Sequence, residues 1–195
     1  MMKPAQGRAE TYFAQLHDLL RTARASDAGG SPVALETAMA EIGQAIDRHC
    51  RAGGRLFLIG NGGSAAIASH MAIDFTNAGG YSALCLNDGA ALTCMGNDYG
   101  YEDVFSRQIA AHGREGDMLI AISSSGASEN ILRAVAVAGE LGMRIVTLSG
   151  FDADNPLRGL GWRNLYLSSH RYGFAEVGHL ALLHAILDLL IEERT

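Results

Sequence analysis

Five short apolar stretches alternate with helix-patterned segments along most of this chain: "RLFLIG" (55–60), "YSALCL" (81–86), "DMLIAIS" (117–123), "MRIVTLS" (143–149) and "NLYLSS" (164–169). A strand that is apolar at nearly every position has both faces buried, and helices placed between such strands make the crossovers that parallel pairing requires. The alternation predicts an α/β fold, a five-stranded, mostly parallel sheet flanked by helices on both faces. The first strand runs through glycines straight into a helical pattern. Further helices are expected within 90–112, at about 127–141 and at about 175–193. Two more precede the first strand. One covers about 4–25, with Tyr12, Phe13, Leu16, Leu19 and Leu20 on one side. The other opens at Ser31-Pro32, with proline in the first turn, and runs to about Arg51. "SDAGGSP" breaks the chain between them. This gives a single domain over 1–195, with an N-terminal helical arm at 1–52 and an α/β core at 53–195.

Composition narrows the function. The 195 residues carry a formal charge of −6 and are 48% hydrophobic and 18% charged, an ordinary globular balance. Net negative charge argues against sequence-independent nucleic-acid binding. It leaves a phosphorylated small molecule open, because helix N-termini supply local positive potential. Cys50, Cys85 and Cys94 are odd in number and lack C-x-x-C spacing, which suits reduced thiols of a cytoplasmic protein. Lys3, Arg8 and Glu10 at the start, with no apolar run behind them, predict no signal peptide. Only the last helix approaches the apolar length of a membrane span. Apolar almost all round, it is expected to be buried, as in a subunit interface.

Two strands end in turns of the same chemistry, Gly60-Asn61-Gly62-Gly63-Ser64 and Ser123-Ser124-Ser125-Gly126-Ala127-Ser128. Ligands of open α/β sheets gather at the carboxyl ends of strands, and small residues there let backbone N–H groups approach an anion. Asn61, Gly62 and Ser64 on one turn, and Ser123, Ser124, Ser125 and Ser128 on the other, are therefore candidate substrate-binding residues. A tight connection with no ligand is the plain alternative for either turn alone. Gly60-x-Gly62-x-x-Ala65 also fits a loose dinucleotide pattern. The acidic residue that pattern needs, Asp88, fits its spacing poorly, two helices precede the strand, and the serine-rich turn would have no role.

His70 and Asp74 are four residues apart, one helical face and about 6 Å of rise, which suits chelation or a plain solvated face. Glu176 and His184 lie two turns apart, about 12 Å along a helix, too far for one ion held by one continuous helix. Either that helix begins after Glu176, or the two side chains serve different subunits. His184 on an apolar helix is otherwise a core histidine bonded to a carbonyl, and His179 is core or supporting.

"GNGGSAA…H", "GNDYGYEDVFSRQ", "GREGDMLIAISSSGASENIL" and "AEVGHLALLHAILDLL" together resemble the sugar isomerase (SIS) domain family, and within it the phosphoheptose isomerases. The resemblance spans nearly the whole chain. It implies a cytoplasmic, zinc-dependent homotetramer with active sites between subunits, converting sedoheptulose 7-phosphate to D-glycero-D-manno-heptose 7-phosphate. The serine loop would hold the phosphate, with Asn61 and Ser64 facing it. His70 and His184 match the family's metal and catalytic positions. Asp74 stands where the family has Glu, and Glu176 where it has Gln. An arginine usual after the Glu is missing, the segment reading Thr76-Asn77-Ala78-Gly79. The implied metal set is His70, Asp74, Glu176 and His184, with Asp74 as base and His184 as acid. The picture has imidazoles from neighbouring protomers meeting over the reactive carbons. A near relative, the DnaA initiator-associating protein, offers a non-catalytic alternative through "SSHR" (168–171). It departs from the metal pattern at the last His, a position that this chain keeps as His184.

Overall fold

A computed structural model of the chain describes residues 7–194. Helix α1 (Arg8–Arg21) leads to strands β1 (Arg24–Asp27) and β2 (Pro32–Val33), then helix α2 (Leu35–Arg51). The core follows as β3 (Leu56–Gly60), α3 (Gly63–Asn77), β4 (Ala83–Cys85), α4 (Gly89–Tyr99), a 3-10 turn (Tyr101–Asp103) and α5 (Ser106–His112). It closes with β5 (Met118–Ser123), α6 (Glu129–Glu140), β6 (Arg144–Ser149), a second 3-10 turn, β7 (Arg163–Tyr166) and α7 (Tyr172–Glu192).

The sheet has seven strands in the order β2-β1-β7-β6-β5-β3-β4, not five. The five expected strands pair in parallel, and the two additional ones form an antiparallel hairpin added at β7. That hairpin occupies the segment expected as a break between two helices. Asp27 makes it, because its Oδ1 accepts from the backbone N–H of Gly29 and of Ser31, both at 2.9 Å. Pro32, expected inside a helix, lies on the edge strand, where a missing N–H does no harm. Helix α2 starts three residues later. Helix α1 ends at Arg21 rather than about 25, and the expected residues 4–6 of that helix lie outside the described residues.

Strand parity builds two apolar layers. Leu56, Leu58, Met118, Ile120, Val146 and Leu148 face a layer made by α1, α2, α3 and α7, with Ile42, Met71, Phe75 and Leu183 among its contacts. Phe57, Ile59, Leu119 and Ala121 face the other side, packing on Phe105 at the start of α5, Ile109 of α5, and Ile131 and Val135 of α6. Both faces are thus covered, as continuous apolar strands require.

Helix α7 is long and apolar enough to cross a membrane by composition, yet half of its most apolar window is buried against this same chain. Part of its apolar circumference packs on α1, α2 and α3 inside the protomer, and Val177 and Leu189 on the same helix stay exposed.

Candidate active site

The two turns picked out by sequence meet because β3 and β5 are neighbours, with Gly60 paired opposite Ile122. From β3 the chain crosses to β4 on one side, and from β5 it crosses to β6 on the other. Helices α3 and α6 lie on opposite faces. This reversal is the switch point of an open sheet, where a crevice opens above the strand ends. A cleft of about 230 Å³ lies there, lined by Asn61, Gly62, Gly63 and Ser64, by Ser123, Ser124, Ser125 and Ser128, and by Tyr172 and Glu176 of α7.

Inside the serine loop, Ser123 Oγ lies 3.2 Å from Ser128 Oγ, and the Gly126 N–H donates to Ser123 Oγ at 3.2 Å. Gly126 has φ +63°, a conformation glycine adopts without strain. Ser124 is buried, and its hydroxyl has no hydrogen-bond partner among the described residues. A buried hydroxyl left unbonded is costly, and an anion would satisfy it. The first N–H groups of α3, from Gly63 and Ser64, lack intrahelical acceptors by construction and add donors at the same place. Opposite them stands Glu176. A Cβ on Gly63 would lie 2.3 Å from its carboxyl group, so the glycine is what lets that side chain lie against the turn.

The second cluster lies further along α3 and α7. His70, Asp74 and His184 offer one donor atom each, all within 4.8 Å of one another. His70 Nε2 lies 3.1 Å from His184 Nε2 and 3.3 Å from Asp74 Oδ2, and His184 Nδ1 is 3.7 Å from that same oxygen. A tetrahedral ion with bonds of about 2.0–2.1 Å needs donors roughly 3.3 Å apart, so two imidazole nitrogens and a carboxylate oxygen fit a zinc-like cation. The same donor set also suits other divalent metals.

Two expectations change at this cluster. His70 and His184 meet within one chain, not across a protomer boundary, because α3 and α7 pack against each other. Helix α7 already begins at Tyr172, so Glu176 lies inside it and stands with the phosphate-type cleft, apart from the three clustered donors. His184 is therefore no core histidine. His179 is one: it is fully buried and its Nε2–H donates to the Ser149 carbonyl at 3.0 Å.

Sequence reasoning also missed partners of these residues. Asn130, buried at the start of α6, exchanges two 2.9 Å hydrogen bonds with Asn61, and Tyr101 donates to Asn61 from the 3-10 turn. "GNDYGYED" was the available signal, with no chemistry attached to it.

The SIS domain family model matches residues 11–150. The phosphoheptose isomerase of Escherichia fergusonii is 37% identical over 151 residues, covering 73% of this chain and 77% of that protein. The chain belongs to the SIS family, among the phosphoheptose isomerases. Solved phosphoheptose isomerases agree across the fold. That of Neisseria gonorrhoeae superposes with TM-score 0.81 at 32% identity, covering 95% of this chain and 97% of the other. That of Francisella tularensis gives 0.83 at 28%, covering 98% and 100%. The family makes this chain a sugar-phosphate isomerase, and both clusters on α3 and α7 belong to an enzyme of that class.

Proposed function

We propose that the chain interconverts a seven-carbon ketose phosphate and aldose phosphate, sedoheptulose 7-phosphate and D-glycero-D-manno-heptose 7-phosphate. The observation carrying this reading is the His70–Asp74–His184 cluster on the same two helices that line the serine cleft. The phosphate is assigned to Ser123, Ser124, Ser125 and Ser128, facing Asn61, Gly62 and Ser64. Eight residues separate Glu176 from His184 along α7, about 12 Å of helix. A phosphorylated seven-carbon chain is of about that length, which supports a substrate that reaches from the cleft towards the cluster.

His70 Nε2, His184 Nε2 and Asp74 Oδ2 are the assigned holders of a zinc ion. The chemistry these residues would recruit by holding a divalent cation is polarisation of the substrate's carbonyl and hydroxyl oxygens, which would lower the energy of the enediolate. Asp74 Oδ2 is committed to the imidazoles, which leaves Oδ1 to take a proton from C1 of the ketose and deliver it to C2. His184 is assigned as the acid for the hydroxyl proton, a role that it fills with its ring free of the cation, the ion then resting on His70 and Asp74. Glu176 is assigned as a fourth donor only across a subunit boundary, in keeping with a homotetramer with sites between chains, which we place in the cytoplasm. Residues 1–195 act as one SIS unit in that assembly.

Metal analysis of purified protein, with NMR of proton exchange at the substrate's terminal carbon, tests the assignment. A divalent ion is expected in the wild type. His184→Ala is expected to lose most of it and to exchange at least a hundredfold more slowly. Full exchange by His184→Ala overturns the roles assigned to that histidine.

A further inference from the structure

The stretch "GNDYGYED" carries no role in the proposed reaction, yet it is stapled to the cleft. Gly100 turns the chain at φ +94°, and a Cβ there would meet the Glu102 carboxyl group at 2.7 Å. The 3-10 turn that follows makes two connections. Tyr101 donates its hydroxyl to Asn61 Oδ1 at 2.9 Å, and Asp103 Oδ2 accepts from Arg133 Nη1 of α6 at 2.9 Å. Arg133 also donates to Glu129 Oε1, so the pair anchors the turn against the start of α6.

Asn61 is the centre of this arrangement. Its Oδ1 accepts from Tyr101 and from Asn130 Nδ2, and its own Nδ2 donates to Asn130 Oδ1. A side-chain amide has two acceptor sites and two donor hydrogens. Three of the four are spent, which leaves one N–H on a residue that lines the substrate cleft. Asn130 is buried and belongs to α6, so the amide pair bridges the glycine turn after β3 to the helix that follows the serine loop. The serine loop's own hydroxyl contacts involve neither Asn61 nor Tyr101.

We infer that Tyr101 is a positioning residue: through Asn61 its phenol locks the amide bridge between the two walls of the cleft and presents the last Asn61 N–H to the sugar portion of the substrate. The inference rests on the sugar-phosphate reading and deepens it. Phosphate recognition belongs to the serine loop. Recognition of the sugar chain depends on a latch that the serine loop's own hydroxyl contacts do not include.

Tyr101 is exposed, so Tyr101→Phe removes one hydroxyl without opening the core. Calorimetry with sedoheptulose 7-phosphate and with inorganic phosphate separates the two recognitions, alongside KM and kcat. Loss of one neutral hydrogen bond weakens binding by about threefold to tenfold. Tyr101→Phe is expected to weaken the sugar phosphate by that factor, in Kd and in KM, with inorganic phosphate affinity within about twofold of wild type. In an Asn61→Ala background the same change is expected to have no further effect, because the phenol acts through Asn61. Unchanged sugar-phosphate affinity overturns the inference, as does equal weakening of both ligands or an undiminished effect in Asn61→Ala. Wild-type protein that binds the sugar phosphate without isomerising it sinks the proposed reaction and leaves the latch to be judged on binding alone. Wild-type protein that binds neither probe overturns both.

Discussion

Two histidines five residues apart on α7 meet opposite surroundings. His184 is partly exposed beside His70 and Asp74, whereas His179 is sealed in the core. The Nε2–H of His179 donates to Ser149, and its Nδ1 has no partner among the described residues. Protonating that nitrogen would place an unpaired charge among apolar side chains, so burial pushes the His179 pKa down to about 4, against an ordinary 6.5. Between those values the unfolded chain binds more protons than the folded one, so stability falls as pH drops through that window. Urea unfolding at pH 7 and pH 4.5 should show about 2–3 kcal/mol lost from this group. His179→Gln keeps an N–H for Ser149 and cannot charge, so its stability should change less over the same interval. An equal loss in both proteins would place the sensitivity elsewhere. Asp74 is the other instructive residue. Although Asp is one methylene shorter than Glu, it brings Oδ2 to 3.3 Å from His70 Nε2. An aspartate is therefore long enough to join the two imidazoles.

Helix α3 starts almost on top of the end of β3, and glycines make that junction possible for two different reasons. A Cβ on Gly60 would sit 2.6 Å from the Ser64 backbone carbon and oxygen, which cannot move without shifting the helix. On Gly63 its three nearest neighbours would be the carboxyl atoms of Glu176, the end of a flexible side chain. Gly60→Ala should therefore cost about 1–3 kcal/mol in denaturant unfolding, while Gly63→Ala stays within about 0.5 kcal/mol of wild type. Equal losses in the two would mean that Glu176 is held as rigidly as backbone. Junctions of this kind are legible in sequence, since an apolar run ending in closely spaced glycines has few other readings. Strand parity was legible for the same reason. The β1–β2 hairpin was not, because "RASD" and a two-residue partner strand are too short and too polar to show a period of two. Nor was the meeting of His70 with His184 within one chain. It depends on how α3 and α7 pack, 114 residues apart in sequence, and no local spacing encodes that.

At the scale of the whole molecule, the chain leaves apolar surface beside its own chemistry. Ile73 is 66% exposed next to Asp74, and Val177 is 45% exposed next to Glu176. Helix α4 carries Leu92 and Met95 but buries no residue fully. An open groove of about 500 Å³ between α2 and α7 is lined by Leu35, Met39 and Leu189. We propose that Ile73 and Val177, exposed beside the site, are covered by a second copy of the chain. Covering Ile73 and Val177 with a second copy would also exclude water from the histidine cluster, which strengthens its electrostatics during proton transfer. The homotetramer proposed above should give four times the 20.6 kDa chain mass in light scattering. Ile73→Arg should shift the protein toward monomer and lower turnover, and because His70, Asp74 and His184 all come from one chain it should keep most of its metal. A fully active wild-type monomer would remove the subunit boundary from the mechanism. Loss of metal in step with dissociation would mean instead that the three donors are not enough, and that Glu176 from a neighbouring copy completes the site.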